Sequence, residues 1–346
     1  MSALTIEDLV LGKYDPTHTK LVPTMPIELA TIAGSETLIR DLYIDLREKI
    51  SQWASLTKQT AQARMGYVGQ HLVSVVTGFA GGRSGARGYD LLIPNKGFGE
   101  IKTCYRVDQL GKCLSCERPV APAEFECPHC GSSDIRRNDD SKWLIGMSHQ
   151  RDFGSVLDPF RYYLVLFDFT DMERPNTVRS SIWEVDPLSP GFAYCMIDYW
   201  FNIRANSRSK APFNLWPFQL KFDLMRPLLI YRSFIRGDSI TTERFPGVHA
   251  PDLHIPQPLP EYARSQNLKG QKLAMLSNLL GIKISVPTGE RRAFLSALQS
   301  AVSKRSIHPD KITDALARAL YLDDIKPYMR KLPGNLPKQL RRGNLI

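Results

Sequence analysis

Four cysteines place the tightest limit on how this chain folds. Cys113-Leu-Ser-Cys116 and Cys127-Pro-His-Cys130-Gly131 are two CxxC pairs with ten residues between them. A CxxC turn curls backbone N–H groups around two thiolates, and two such turns supply a closed tetrahedral metal site. The pattern predicts structural Zn²⁺ held by Cys113, Cys116, Cys127 and Cys130, with no coordination position left for a substrate. The competing use of paired cysteines is a disulfide. The first residues, Met1-Ser-Ala-Leu-Thr-Ile-Glu-Asp, lack the basic-then-apolar order of a signal peptide. The longest apolar run, Tyr162–Phe167, suits a buried strand and is too short for a membrane span. A cytoplasmic location is expected, where thiols stay reduced and paired cysteines bind metal. His129, inside the second pair, reads as a surface residue, and Cys104 and Cys195 read as core thiols.

The knuckle interrupts an α/β pattern. Residues 35–62 have an apolar helical face (Leu38, Ile39, Leu42, Leu46, Ile50), with Ser35 as the expected N-cap and Glu36 at the positive end of the helix. A second helix is expected over 64–77, with Met65, Val68, Leu72, Val75 and Val76 on one side, stopping at Gly78. A glycine-rich loop follows. Tyr89–Pro94 and Phe98–Tyr105 then flank Asn95-Lys96-Gly97, a hairpin signal. Strands are expected at 143–147, 162–169 and 180–185, and a helix over 188–203. Residues 204–240 are basic and aromatic, without a clear period. Prolines crowd 245–262, and helical periodicity returns at 267–281, 289–303 and 309–322. The expected organisation is an arm (1–34), a core (35–244) carrying the knuckle at 113–130, a Pro-rich linker (245–266) and a basic helical region (267–346).

The hairpin carries the chemistry. Asp90 is followed, after nine residues, by Glu100-Ile101-Lys102. Strand side chains alternate, so Glu100 and Lys102 share a face while Ile101 points into the core. Asp90 and Glu100 can meet at one end of the hairpin, and two carboxylates suit a hard cation such as Mg²⁺. Such an ion acidifies a bound water, which an adjacent lysine can orient or deprotonate.

Gly88-Tyr-Asp90-Leu-Leu-Ile and Gly99-Glu100-Ile-Lys102, set between an amphipathic helix and further apolar strands, resemble the PD-(D/E)xK nuclease superfamily. The resemblance spans about residues 64–185. It implies a restriction-endonuclease-like mixed sheet flanked by helices, to which the cysteine spacing adds a zinc-ribbon insertion and the later periodicity a helical C-terminal region. It also implies Asp90 and Glu100 as Mg²⁺ ligands and Lys102 as the residue that positions water. Tyr89 stands where the motif's proline would be. Many members carry an acidic residue on the preceding helix; here Gln62 and Gln70 are nearby, and Gln70 lies opposite its helix's apolar face, as a solvent-facing residue would. Within the superfamily, the knuckle and Phe213-Asn-Leu-Trp-Pro217 are similar to the MamI-like type II restriction endonucleases.

The charge agrees with a polyanionic partner. Lys and Arg total 45 against 35 Asp and Glu, a net of +10, and phosphate neutralisation dominates affinity for double-stranded DNA. Arg83 and Arg87, in the glycine loop before Asp90, suit phosphate oxygens. Arg136 and Arg137 follow the knuckle, which either staples a loop with little core or also touches DNA. Asn214, among basic and aromatic residues, can read base edges. A homodimer is expected, since cutting both strands of a symmetric site matches two-fold symmetry. Two alternatives stay open: a repair or junction-resolving nuclease of the same superfamily, and a non-enzymatic zinc-containing DNA-binding protein.

Overall fold

The structure is a computed structural model. It describes residues 28–319 apart from 58, 60, 83–88, 121–123, 125, 139, 150–151, 173, 209–210, 219 and 248–269. Most of the expected arm and linker therefore lies outside the described residues, as do the basic residues from Arg330 onward.

Helix α1 (Ile32–Ile39) passes through a π-helical turn (Arg40–Asp45) into α2 (Leu46–Thr57). Its N-cap is Thr31, whose Oγ1 accepts from the Gly34 N–H at 3.0 Å. The expected cap, Ser35, is instead one turn inside the helix, where it is buried and donates to the Ile32 carbonyl at 2.7 Å. The apolar pair Ile32-Ala33 hid the first turn. Helix α3 (Met65–Thr77) ends as expected on Gly78, with φ of 73°.

The hairpin forms from β1 (Leu91–Ile93) and β2 (Gly97–Tyr105), with Asn95 (φ 60°) and Gly97 (φ 111°) taking the positive dihedrals its turn requires. A small sheet of β3 (Gly111–Cys113), β4 (Pro119–Val120) and β5 (Ile135–Arg136) carries the cysteines. Then come β6 (Trp143–Ile145), α4 (Asp152–Leu157), β7 (Arg161–Phe169), β8 (Val178–Val185) and α5 (Pro190–Asp198), which continues as a π-helical turn (Tyr199–Arg204). They are followed by β9 (Phe213–Leu215), α6 (Leu220–Leu224), β10 (Leu228–Arg236), β11 (Ser239–Arg244), α7 (Gln271–Leu279), α8 (Arg291–Lys304) and α9 (Pro309–Ala317).

The main sheet has the order β1-β2-β7-β8-β10-β11, and β2 pairs in parallel with β7 while its other pairs are antiparallel. A parallel neighbour needs a crossover, and the cysteine sheet is inserted in it. β7 is covered on both faces, which explains its unbroken apolar run. Tyr163, Val165 and Phe167 pack with Ile39, Met65 and Leu72 of α1 and α3. Tyr162, Leu164 and Leu166 pack on the other side with Trp183, Phe192 and Phe222, in a cluster that also takes Leu273, Leu276, Phe294, Leu298 and Leu316 from α7, α8 and α9. The architecture is the expected mixed sheet flanked by helices.

Candidate active site

β2 is central because it is both the hairpin's long arm and β7's parallel neighbour. Ile101 is buried, whereas Glu100 and Lys102 remain 26% and 28% exposed on the opposite face, so the period-2 reading of this strand holds. Lys102 Nζ donates to Glu100 Oε1 at 2.5 Å. Asp90 stands just before β1. Its Oδ2 accepts from the backbone N–H of Ile101 at 2.9 Å, the residue between Glu100 and Lys102. One hydrogen bond thus ties the first acidic residue to the strand that carries the other two. Burial raises the Tyr162 phenol far above its usual range, and the charges of Glu100 and Asp90 add to the rise. Tyr89, in the place of the proline, packs its ring on Phe98 with centroids 4.1 Å apart.

The second Asp90 oxygen corrects the reading of Gln70. Gln70 is not a plain solvent-facing residue: its Nε2 donates to Asp90 Oδ1 at 3.0 Å. Helix α3 lies close enough on β2 for this because of its glycines. A Cβ on Gly69 would stand 2.1 Å from Thr103 Oγ1, and one on Gly66 3.4 Å from the Tyr105 hydroxyl. The Gly-x-x-Gly pair beside Gln70 was the available signal of a close strand. Gln62 plays a different part, donating to the Asp108 carbonyl at 2.8 Å, while the Asp108 carboxylate pairs with Arg47. Gly69→Ala is expected to lift α3 off β2, costing about 1–3 kcal/mol as overpacking does. Denaturant melts of the variant check this.

A cleft of about 390 Å³ opens beside Lys102 and is lined by Gln109, Asp140, Ser141, Lys142 and Leu144. Leu144 belongs to β6, where it pairs with Asn214 of β9. Trp143 and Phe213 point into the core, so Lys142, Leu144, Asn214 and Trp216 face outward. Trp216 Nε1 donates to Asp140 Oδ1 at 3.0 Å, and Lys142 Nζ pairs with Asp140 Oδ2 at 3.2 Å. Most other aromatics of 204–240, including Phe213, Phe222 and Tyr231, are core residues.

The four knuckle sulfurs converge within 4.8 Å of one another. Cys113 and Cys130 Sγ are 3.6 Å apart, as are Cys116 and Cys127 Sγ. A Zn–S length of 2.3 Å in a tetrahedron gives about 3.8 Å between sulfurs, so the cluster fits zinc. The two knuckles repeat each other. Glu117 N–H donates to the Cys113 carbonyl at 2.9 Å, and Gly131 N–H to that of Cys127 at 2.8 Å. The N–H of Cys116 lowers the Cys113 thiol to about 6, and that of His129 lowers Cys127. The His129 ring is exposed and lies against Arg118, and Cys104 and Cys195 are core thiols.

The remaining expected contact residues are scattered. Arg83 and Arg87 lie outside the described residues. Arg136 is exposed on β5, and Arg137 stacks its guanidinium 5.8 Å from the Phe169 ring at the end of β7. Asn214 is half-buried on β9, opposite Leu144 of β6. No helix among the described residues is long and apolar enough to cross a membrane. A family model described as "MamI restriction endonuclease" matches residues 52–262. No curated protein and no solved structure matches the chain.

Proposed function

This chain belongs to the MamI restriction endonuclease family, and on that footing we propose that it hydrolyses phosphodiester bonds of double-stranded DNA at a specific sequence, with Asp90, Glu100 and Lys102 as its catalytic residues. The observation that carries this reading is the bond from the Ile101 N–H to Asp90, which ties Asp90 to the strand that carries Glu100 and Lys102, beside an open cleft.

Two carboxylates make a hard-oxygen donor set that fits Mg²⁺. Bound there, the cation would acidify a water and offset phosphate charge. Asp90 and Glu100 would hold it. Gln70 and the Ile101 N–H fix the Asp90 carboxylate, as partners behind a ligand do. Lys102 then orients the attacking water and balances charge that develops on phosphate oxygen. Gln70→Ala is expected to weaken cleavage about 10–100-fold, as loss of a ligand's supporting partner does. A raised Mg²⁺ requirement, read from cleavage against metal concentration, distinguishes this from a folding defect.

Asn214 and the cleft's outward residues are proposed to meet the duplex, with Arg83, Arg87, Arg136 and Arg137 on phosphates. Zinc in the Cys113, Cys116, Cys127 and Cys130 cluster is proposed as structural. A homodimer acting on a symmetric site completes the proposal. Sequencing fragment ends after digestion of genomic DNA with Mg²⁺ tests it. Ends sharing one sequence support restriction. Random ends, or cutting confined to branched substrates, would move the chain toward repair chemistry.

A further inference from the structure

We propose that the β6–β9 ribbon reads one A·T base pair of the target through its major-groove edge, with Asn214 on the adenine and Leu144 on the thymine methyl. The ligand's identity as duplex DNA rests on the DNA-cleaving reading above.

The ribbon has two unlike faces. Burial alternates without a break from Ser141 to Met147 and from Pro212 to Pro217. Trp143, Ile145, Phe213 and Leu215 are in the core. Lys142, Leu144 and Gly146 of one strand and Pro212, Asn214 and Trp216 of the other therefore form the outward face. Leu144 and Asn214 are directly opposite each other in the middle of it. Leu144 is 48% exposed, and a Cβ on Gly146 would meet nothing within 4 Å, so the face is open beside the pair. An exposed leucine alone says little; its partner says more. Asparagine is depleted in strands, and among the described residues the Asn214 side chain makes no hydrogen bond. Its neighbours are committed. Asp140 accepts from Trp216 Nε1 at 3.0 Å and pairs with Lys142 at 3.2 Å, and Lys142 Nζ lies 5.1 Å from the Trp216 ring centroid. The centre of the face thus offers a ligand one amide, donor and acceptor together, beside one aliphatic group.

Duplex DNA presents the complement of that pair. The major groove, about 12 Å wide, admits a two-stranded ribbon, whose strands are about 4.8 Å apart. Adenine sets an acceptor and a donor side by side, N7 and N6, which an Asn amide bonds together, and thymine carries an apolar C5-methyl. Both groups lie on the edge of a single A·T pair. Guanine would call for a cation instead, and Lys142 is held by Asp140. The ribbon is also well placed. Lys142 and Leu144 line the same cleft as Lys102, and β6 packs on β2. Phosphate contacts near Lys102 position the duplex, and base contacts from the ribbon specify it.

The test reads binding apart from cutting. The full chain selects duplexes from a random-sequence pool, with Ca²⁺ replacing Mg²⁺ at the carboxylates, and fluorescence anisotropy then compares the enriched duplex with its analogues. At each A·T pair in turn, uracil replaces thymine, which removes only the methyl, and a deaza-adenine lacking N7 replaces adenine. At one pair, uracil should weaken wild-type binding about 3–5-fold, the effect of one buried methyl, and the deaza-adenine about 2–10-fold, that of one hydrogen bond. Uracil should then cost Leu144→Ala nothing, and the deaza-adenine should cost Asn214→Ala nothing, whereas a merely structural role for either residue leaves the analogue effects intact. Both side chains face outward, so the variants should fold, and the wild-type comparison stands without them. An enriched sequence with no A·T pair, or no pair at which both analogues weaken wild type, would overturn the proposal. So would analogue effects that persist undiminished in the folded variants. A chain that enriches one sequence yet leaves it uncut in Mg²⁺ loses the DNA-cleaving reading, and the analogues still decide the ribbon. A chain that enriches no sequence overturns the ribbon's role, whether or not it cuts DNA.

Discussion

Lys102→Ala is expected to slow duplex cleavage by on the order of 10²–10⁴-fold, the range for loss of a positioned proton-transfer group, while duplex affinity changes little. The lysine is the least replaceable of the three residues, because the proposal gives it the water and the developing phosphate charge together. Among the described residues Lys102 pairs with Glu100, and both side chains are partly exposed. Such a pair contributes at most about 1 kcal/mol to stability, so the variant should fold. Arg in its place keeps the charge, but its wide fork cannot occupy the same point, and little activity should return. Single-turnover cleavage together with fluorescence anisotropy separates the two effects. Undiminished cleavage by a folded Lys102→Ala would remove the residue from the mechanism.

The second large effect concerns the cysteine cluster. Among the described residues its core is Cys113, Val120 and Cys127, with Cys116 and Ile135 against them, and it does not merge with the two clusters flanking the main sheet. A unit this small cannot offset its chain entropy without the metal. Structural zinc contributes about 10–16 kcal/mol in isolated fingers. Cys113→Ser, or a strong chelator, should therefore unfold the segment around 111–136 while the main sheet keeps its cooperative melt. Hydrogen exchange read by mass spectrometry would show fast exchange confined to that segment. Because β5 leads to Arg137 at the end of β7, duplex affinity should fall as well. If the segment stays protected after metal is stripped from all four sulfurs, the staple reading is wrong.

Much of this was legible in the sequence, for local reasons. Asn95-Lys96-Gly97 announced the turn, alternation set the directions of Glu100, Ile101 and Lys102, and CxxC spacing announced the cluster. The β10–β11 hairpin was not legible. Arg232 and Ser233 fall within the alternating run of β10, so the strand carries no clean apolar pattern. Gln70 was misread for a related reason. A helical face judged by apolar residues alone leaves out Gly66 and Gly69, where a strand lies against bare backbone. Long-range pairing of Asp168 with Arg106 and Arg179 leaves no periodic trace at all.

The most direct test of the proposal is plasmid cleavage by the intact protein in Mg²⁺, beside Glu100→Gln at matched concentration. Discrete fragments from wild type, abolished by EDTA and absent with Glu100→Gln, are the expected result. Intact plasmid with wild type in both Mg²⁺ and Mn²⁺, or equal cutting by Glu100→Gln, would contradict it.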